Sequence, residues 1–298
     1  MELTTPARVG IFATGLVALF ATALGVGNAV GPVVDPPPTG DEAMAEHAGE
    51  GAESMAGASE HGGDHLPGGL MVSQDGYTLE LAVTRLQPGS SVPLAFTVSD
   101  DDGAPLTSYD VEHEKQLHLI VVRRDGTGFQ HVHPELDATS GEWSTDVALS
   151  AGPWRVLADF VPAGADEGIT LGADLAVAGD FEPVQPPDQS RTSQVGDYTV
   201  TIEGDLVAGE DADLTLTVEK DGQPVTDLQP YLGANGHLVA LRDGDLAYLH
   251  VHPEDDGTAG PEIGFVAEVP SAGRYFLYLD FLHGDVVRTA TFTLEASR

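Results

Sequence analysis

The sequence predicts an all-β chain built as two tandem β-sandwiches behind a membrane segment and a spacer. Three observations predict this. Short runs of alternating polarity, such as "YTLELAVTRL", "VPLAFTVSD", "LHLIVVRRD" and "RVLADFV", are separated by "DDGAP", "RDGTG" and "SAGP". That is strand and turn chemistry. From residue 76 onward no long stretch keeps a helical period. The whole pattern is also written twice. "LHLIVVRRDGTGFQHVHPE" parallels "GHLVALRDGDLAYLHVHPE", and "SAGPWRVLADFV" parallels "SAGRYFLYLDFL".

The elements follow in chain order. Residues 1–8 read as a cytoplasmic tail ending at Arg8. Residues 9–34 carry no charge and are long enough to span a bilayer as a helix. Arg8 before the run and acids after it set the N-terminus inside and the rest outside. The expected location is therefore the cell membrane, single-pass, with the domains extracytoplasmic. Cleavage of the same run as a signal peptide would instead release a secreted protein.

Residues 35–75 read as a disordered linker, rich in Pro, Gly, Ala and acids and poor in large apolar residues. It is stocked with Met44, His47, Met55, His61, His65 and Met71. Thioethers and imidazoles together suit copper in either oxidation state. Residues 76–181 and 195–298 are the two sandwiches, each immunoglobulin-like in size and strand spacing. The Pro-rich connector 182–194 joins them. The repeat of about 119 residues is a whole domain, longer than a solenoid unit.

Charge and composition narrow the function. The formal net charge is −36, with 48 acidic and 12 basic residues. Nucleic acid is excluded as a partner, because phosphates need Lys and Arg to displace their counterions. There is no cysteine. Disulfides, thiolate zinc sites and blue-copper centres are therefore excluded. No Ser/His/Asp set, Gly-rich phosphate loop or close acid pair stands out, so the expected protein is not an enzyme. Nothing in the sequence names a protein partner.

The repeated histidines carry the sharpest signal. His118, His131 and His133 match His237, His250 and His252, spaced His-x12-His-x-His in both repeats. Residues i and i+2 of a strand share a face. If Asp125-Gly126 is a two-residue loop, His118 lies opposite His133. An Asp243-Gly244 loop would put His237 opposite His250, so the two registers differ by one pair. With either even offset, three imidazoles face one side. They would suit a copper or zinc ion with an open fourth position.

Pro134 and Pro253 are expected to end the strand. Glu135 and Glu254 are candidate acceptors that orient an imidazole N–H. His113 has no histidine counterpart, since Leu232 stands there; it is either an extra ligand of the first repeat or a surface residue. Asp159 and Asp280 also match, with either backbone or an imidazole as partner. Trp154/Tyr275 and Phe160/Phe281 read as core. The competing reading is two adhesion or scaffold modules whose histidines are only structural.

"HEKQLHLIVVRRDGTGFQHVHPELDATSGEW" and "QPYLGANGHLVALRDGDLAYLHVHPE" resemble a group of actinobacterial membrane-anchored exported proteins with tandem immunoglobulin-like β-domains, usually labelled heavy-metal-binding or uncharacterised. The resemblance covers nearly the whole chain. It implies a tethered, extracytoplasmic metal-binding protein and points at His118, His131, His133, His237, His250 and His252.

Overall fold

The computed structural model describes residues 66–186, 188–249, 251–254 and 259–298. The expected membrane segment 9–34 lies outside the described residues, as do Met44, His47, Met55, His61, His65 and His250. Among the described residues no helix is long and apolar enough to cross a membrane.

Each repeat is a sandwich of two sheets. In the first, one sheet runs Ser73–Gln74, Tyr77–Leu81, Gly89–Ser99, Glu142–Leu149, Glu135–Asp137 from edge to edge. The other runs Arg85–Leu86, Ile169–Val177, Gly152–Pro162, Leu117–Arg123, Gln130–Val132. The second repeat has the same order. Thr192–Val195, Tyr198–Glu203, Asp211–Lys220, Glu262–Glu268 and Val251–Glu254 form one sheet. Leu206–Val207, Val286–Ser297, Gly273–His283, His237–Arg242 and Tyr248–Leu249 form the other. The connectivity is that of an immunoglobulin sandwich.

Alternation builds each core. Leu94, Phe96 and Val98 are buried while Ala95 and Thr97 between them are only half-buried. Trp154 and Tyr275 are core residues, as expected, and each also ties a corner. The Trp154 indole N–H donates to the Ser150 carbonyl at 2.8 Å, and the Tyr275 hydroxyl donates to the Ser271 carbonyl at 2.8 Å. This is the tyrosine corner of such sandwiches, with an indole doing the work in the first repeat.

The strand Leu117–Arg123 breaks the alternation, because every residue from Leu117 to Val122 is buried. Leu117, Leu119 and Val121 point into their own core. Ile120 and Val122 point the other way. They join Leu157 and, from the second repeat, Val239, Leu241, Leu246, Phe276 and Tyr278 in a separate apolar cluster. The two sandwiches thus pack sheet against sheet. Phe129 stacks on Tyr278 with centroids 3.9 Å apart, and the Tyr278 hydroxyl donates to the Gly126 carbonyl at 2.6 Å. A strand apolar on both faces is what burial on both faces requires.

The end of the stretch read as a disordered linker is docked. Gly69 N–H donates to the Thr170 carbonyl at 2.7 Å, and Gly172 N–H to the Met71 carbonyl at 2.8 Å. The buried Arg155 donates to the carbonyls of Gly69 and Leu70 and pairs with Asp174. Composition alone hides this, because backbone carbonyls rather than apolar side chains hold the segment.

Candidate metal site

The face that packs between the sandwiches also carries the histidines. His118 precedes Ile120 and Val122 on one strand, and His237 precedes Val239 and Leu241 on its counterpart, so both imidazoles share the interface face. Opposite them in register stand Asp159 and Asp280, as the cross-strand pairs His118↔Asp159 and His237↔Asp280.

The hairpin of the first repeat pairs Leu119↔Val132, Ile120↔His131 and Val121↔Gln130. That is the register of an Asp125-Gly126 loop, as expected. It puts His131 on the interface face beside His118. In the second repeat the pairs are Ala240↔Leu249 and Leu241↔Tyr248. The loop is therefore centred on Gly244 and Asp245, two positions from the expected pairing, and the two hairpins are in equivalent register. The expected Asp243-Gly244 loop is corrected by this shift; His250 itself lies outside the described residues.

The repeats then diverge. The first chain crosses to the other sheet after His133, so His133 stays with the cluster. In the second, His252 already belongs to Val251–Glu254, paired opposite Val266 in the other sheet, and is exposed. Pro253 sits inside that edge strand and does not end it. His237 thus stands with the first repeat's set, while His252 lies on a strand of the other sheet and His250 lies outside the described residues.

His113 joins as well. Glu112 and Lys115 bridge around His113 (φ 46°) and Glu114 (φ 65°), a two-residue turn with both φ positive. This folds the His113 ring to 5.6 Å from the His237 ring and 6.1 Å from the His118 ring. Tyr231↔Ala234 closes the matching turn with Leu232 in place of His113.

The nitrogens converge. His118 Nδ1 is 3.0 Å from His131 Nε2 and 3.3 Å from His133 Nε2. Donor atoms of His118, His131 and His237 lie within 4.8 Å of one another. His118 and His131 belong to both groupings and form the centre; His133 and His237 flank it from either sandwich. The far nitrogens are committed. His118 Nε2 donates to the Glu112 carbonyl at 3.2 Å. His131 Nδ1 donates to Asp280 Oδ2 at 3.0 Å, with the imidazole fully buried and the carboxylate 5% exposed. Asp280 Oδ1 also accepts from the Thr289 hydroxyl at 2.5 Å.

Orientation of the imidazoles therefore falls to Asp280 and the Glu112 carbonyl. Glu135 and Glu254, the sequence candidates for that role, are exposed. Met71 is exposed, on the docked segment. His283 makes its contacts elsewhere: Nδ1 accepts from the Tyr198 hydroxyl and Nε2 donates to Asp227 Oδ1.

Three of the imidazoles are pushed toward the neutral form. Burial first, then His131, brings His118 down to about 4. Burial and then His131 bring His133 down to about 3. Burial, with His131 next, puts His237 well below the usual histidine range. Burial and then Asp280 push the nearby Tyr231 phenol up to about 12. Neutral imidazoles are the form that binds metal.

The family model described as Domain of unknown function (DUF8832) matches residues 72–175 and 193–298. The chain belongs to this family. Its two matches are the two sandwiches in turn, so the family's unit is one sandwich and the histidine cluster is built from two of them. A DUF4426 family protein from Pseudomonas aeruginosa PAO1 is 9% identical, covering 36% of this chain and 97% of that one, at a TM-score of 0.27. The Escherichia coli adhesin FdeC is 15% identical over 76% of this chain and 65% of its own, at 0.24. Invasin, a bacterial integrin-binding protein, is 14% identical over 74% and 39%, at 0.22. At such scores these likenesses carry no argument about function. No curated protein matches the chain.

Proposed function

We propose that the chain is a non-catalytic, membrane-tethered extracytoplasmic protein that binds copper or zinc through the histidine cluster. One observation carries the reading. His118 Nε2 faces a carbonyl and His131 Nδ1 faces a carboxylate, so each of these nitrogens carries a proton, and in the metal-binding form the opposite nitrogen of each ring is bare. The lone pairs of His118 Nδ1 and His131 Nε2 then face each other at 3.0 Å, with His133 Nε2 3.3 Å from the first. A metal ion between them relieves that arrangement. Metal–nitrogen bonds of ~2.0–2.1 Å set two imidazole nitrogens ~2.9 Å apart at a right angle and ~3.3 Å apart at the tetrahedral angle.

A carboxylate–histidine pair behind a metal-facing nitrogen is the usual means of fixing the tautomer and raising ligand basicity. The resemblance to exported proteins labelled heavy-metal-binding points the same way. The absence of thiolate and the wealth of imidazole favour copper or zinc over the harder cations.

The rival is a shared proton. A protonated His131 would donate to both Asp280 and His118, and the cluster would be purely structural. A proton bridges one pair of nitrogens, whereas His118 Nδ1 has two neighbours and the His237 nitrogen stands close by. Titration of the full exported chain with Zn(II) and Cu(II) against a competing chelator decides between them. Submicromolar binding of one ion supports the metal site. Binding no tighter than that of an unrelated acidic protein contradicts it.

A further inference from the structure

The cluster is drawn from both sandwiches, and this has a thermodynamic consequence. Resting on the metal reading above, we propose that the ion is a clasp: its binding is linked to the docking of the two sandwiches, and neither sandwich alone holds it tightly. His118, His131, His133 and His113 come from the first sandwich. His237 and the orienting Asp280 come from the second. The His237 ring stacks on His118 with centroids 5.3 Å apart and planes 5° off parallel, and lies 4.8 Å from the His131 ring. The bond that fixes the tautomer of His131 crosses the interface.

The rest of the interface is mainly apolar. Ile120, Val122 and Leu157 meet Val239, Leu241, Leu246, Phe276 and Tyr278. Around this cluster stand the Phe129–Tyr278 stack, the Tyr278–Gly126 hydrogen bond and Arg124 Nη1 donating to the Asp245 carbonyl at 3.2 Å. Interfaces between domains of one chain resemble transient complexes unless they are large and hydrophobic. Undocking would remove Asp280 and His237 from the first sandwich's imidazoles at once. Linkage makes the effect reciprocal: whatever docking adds to metal affinity, metal adds to docking.

The test breaks docking without touching an imidazole. Val239→Asp places a carboxylate in the apolar cluster, and Phe129→Ala is the milder variant if the first fails to fold. Zn(II) affinity of the full chain is measured for each, with far-UV circular dichroism as the check on the sandwiches. Susceptibility of the connector 182–194 to limited proteolysis is followed with and without Zn(II). The clasp predicts that V239D weakens Zn(II) binding at least tenfold while the sandwiches stay folded. It also predicts that Zn(II) protects the wild-type connector. Unchanged affinity in a folded V239D or F129A chain, or no protection by bound Zn(II), overturns the clasp and leaves the metal site standing. No Zn(II) binding to the wild-type chain overturns both.

Discussion

His131 and Asp280 stand 149 positions apart in the chain, and 3.0 Å separate Nδ1 of the one from Oδ2 of the other. Each belongs to a different sandwich. The contact sets the tautomer of one histidine of the cluster by means of a residue outside its repeat.

Asp280→Asn removes the charge but keeps an oxygen able to accept from His131. Metal affinity should fall ~10–100-fold, the usual effect of losing such an orienting carboxylate. Asp280→Ala should lose as much affinity and also ~1–3 kcal/mol of stability, because a buried N–H is left without an acceptor. Competition titration and urea unfolding of the metal-free chain measure the two effects. Wild-type affinity in D280N would show that the carboxylate does not orient a ligand.

The depressed histidines set an acid limit. An unfolded histidine titrates near 6.5. His118 folds with a value of about 4 and His133 with about 3. Below pH 6.5 the unfolded chain takes up protons that the folded chain refuses, so stability falls as pH drops. The His118 loss runs from 6.5 to about 4 and the His133 loss continues to about 3. Above 6.5 the contribution is constant. Urea midpoints between pH 5 and 7.5, above the range where ordinary carboxylates titrate, should therefore rise with pH in the metal-free wild type and rise less in His118→Gln. Equal slopes would contradict the burial of neutral imidazole.

Gly126 separates turn strain from interface packing. Its φ is +77° and a Cβ there would lie 2.8 Å from the Phe276 ring across the interface. Gly244, in the matching loop, has φ +97° and open space around a Cβ. Gly244→Ala should cost ~1–2 kcal/mol, the strain of a left-handed residue. Gly126→Ala should cost that plus ~1–3 kcal/mol of overpacking. Thermal or urea unfolding of the two variants checks the difference, and equal losses would contradict the packing.

Much of the fold was legible because strands, turns and a domain-length repeat leave periodic marks. The alternation around Phe96 and the turn at Asp125-Gly126 are examples. The histidine set was legible as a spacing, and the shared face of His118 and His131 followed from an even offset. The partnership between repeats was not. Periodicity tells which residues are buried and not against what, although the unbroken "LHLIVV" is a signal that both faces of that strand are covered. His252 escaped because its chain changes sheets a few residues sooner than the chain at His133, a choice no motif records. His113 was visible only as an unmatched residue; a turn with two positive φ angles brings it in. Asp280 was marked by its match to Asp159, and its partner lay in the other repeat.

The central claim is that one composite histidine site binds a transition metal. The most direct measurement is a side-by-side competition titration of Zn(II) and Cu(II) into the full chain and its His131→Ala, His237→Ala and His252→Ala variants. The account predicts submicromolar binding by wild type and H252A, a loss of at least a hundredfold in H131A and a clear loss in H237A. Equal affinity across all four proteins, or loss in H252A with none in H237A, would contradict it.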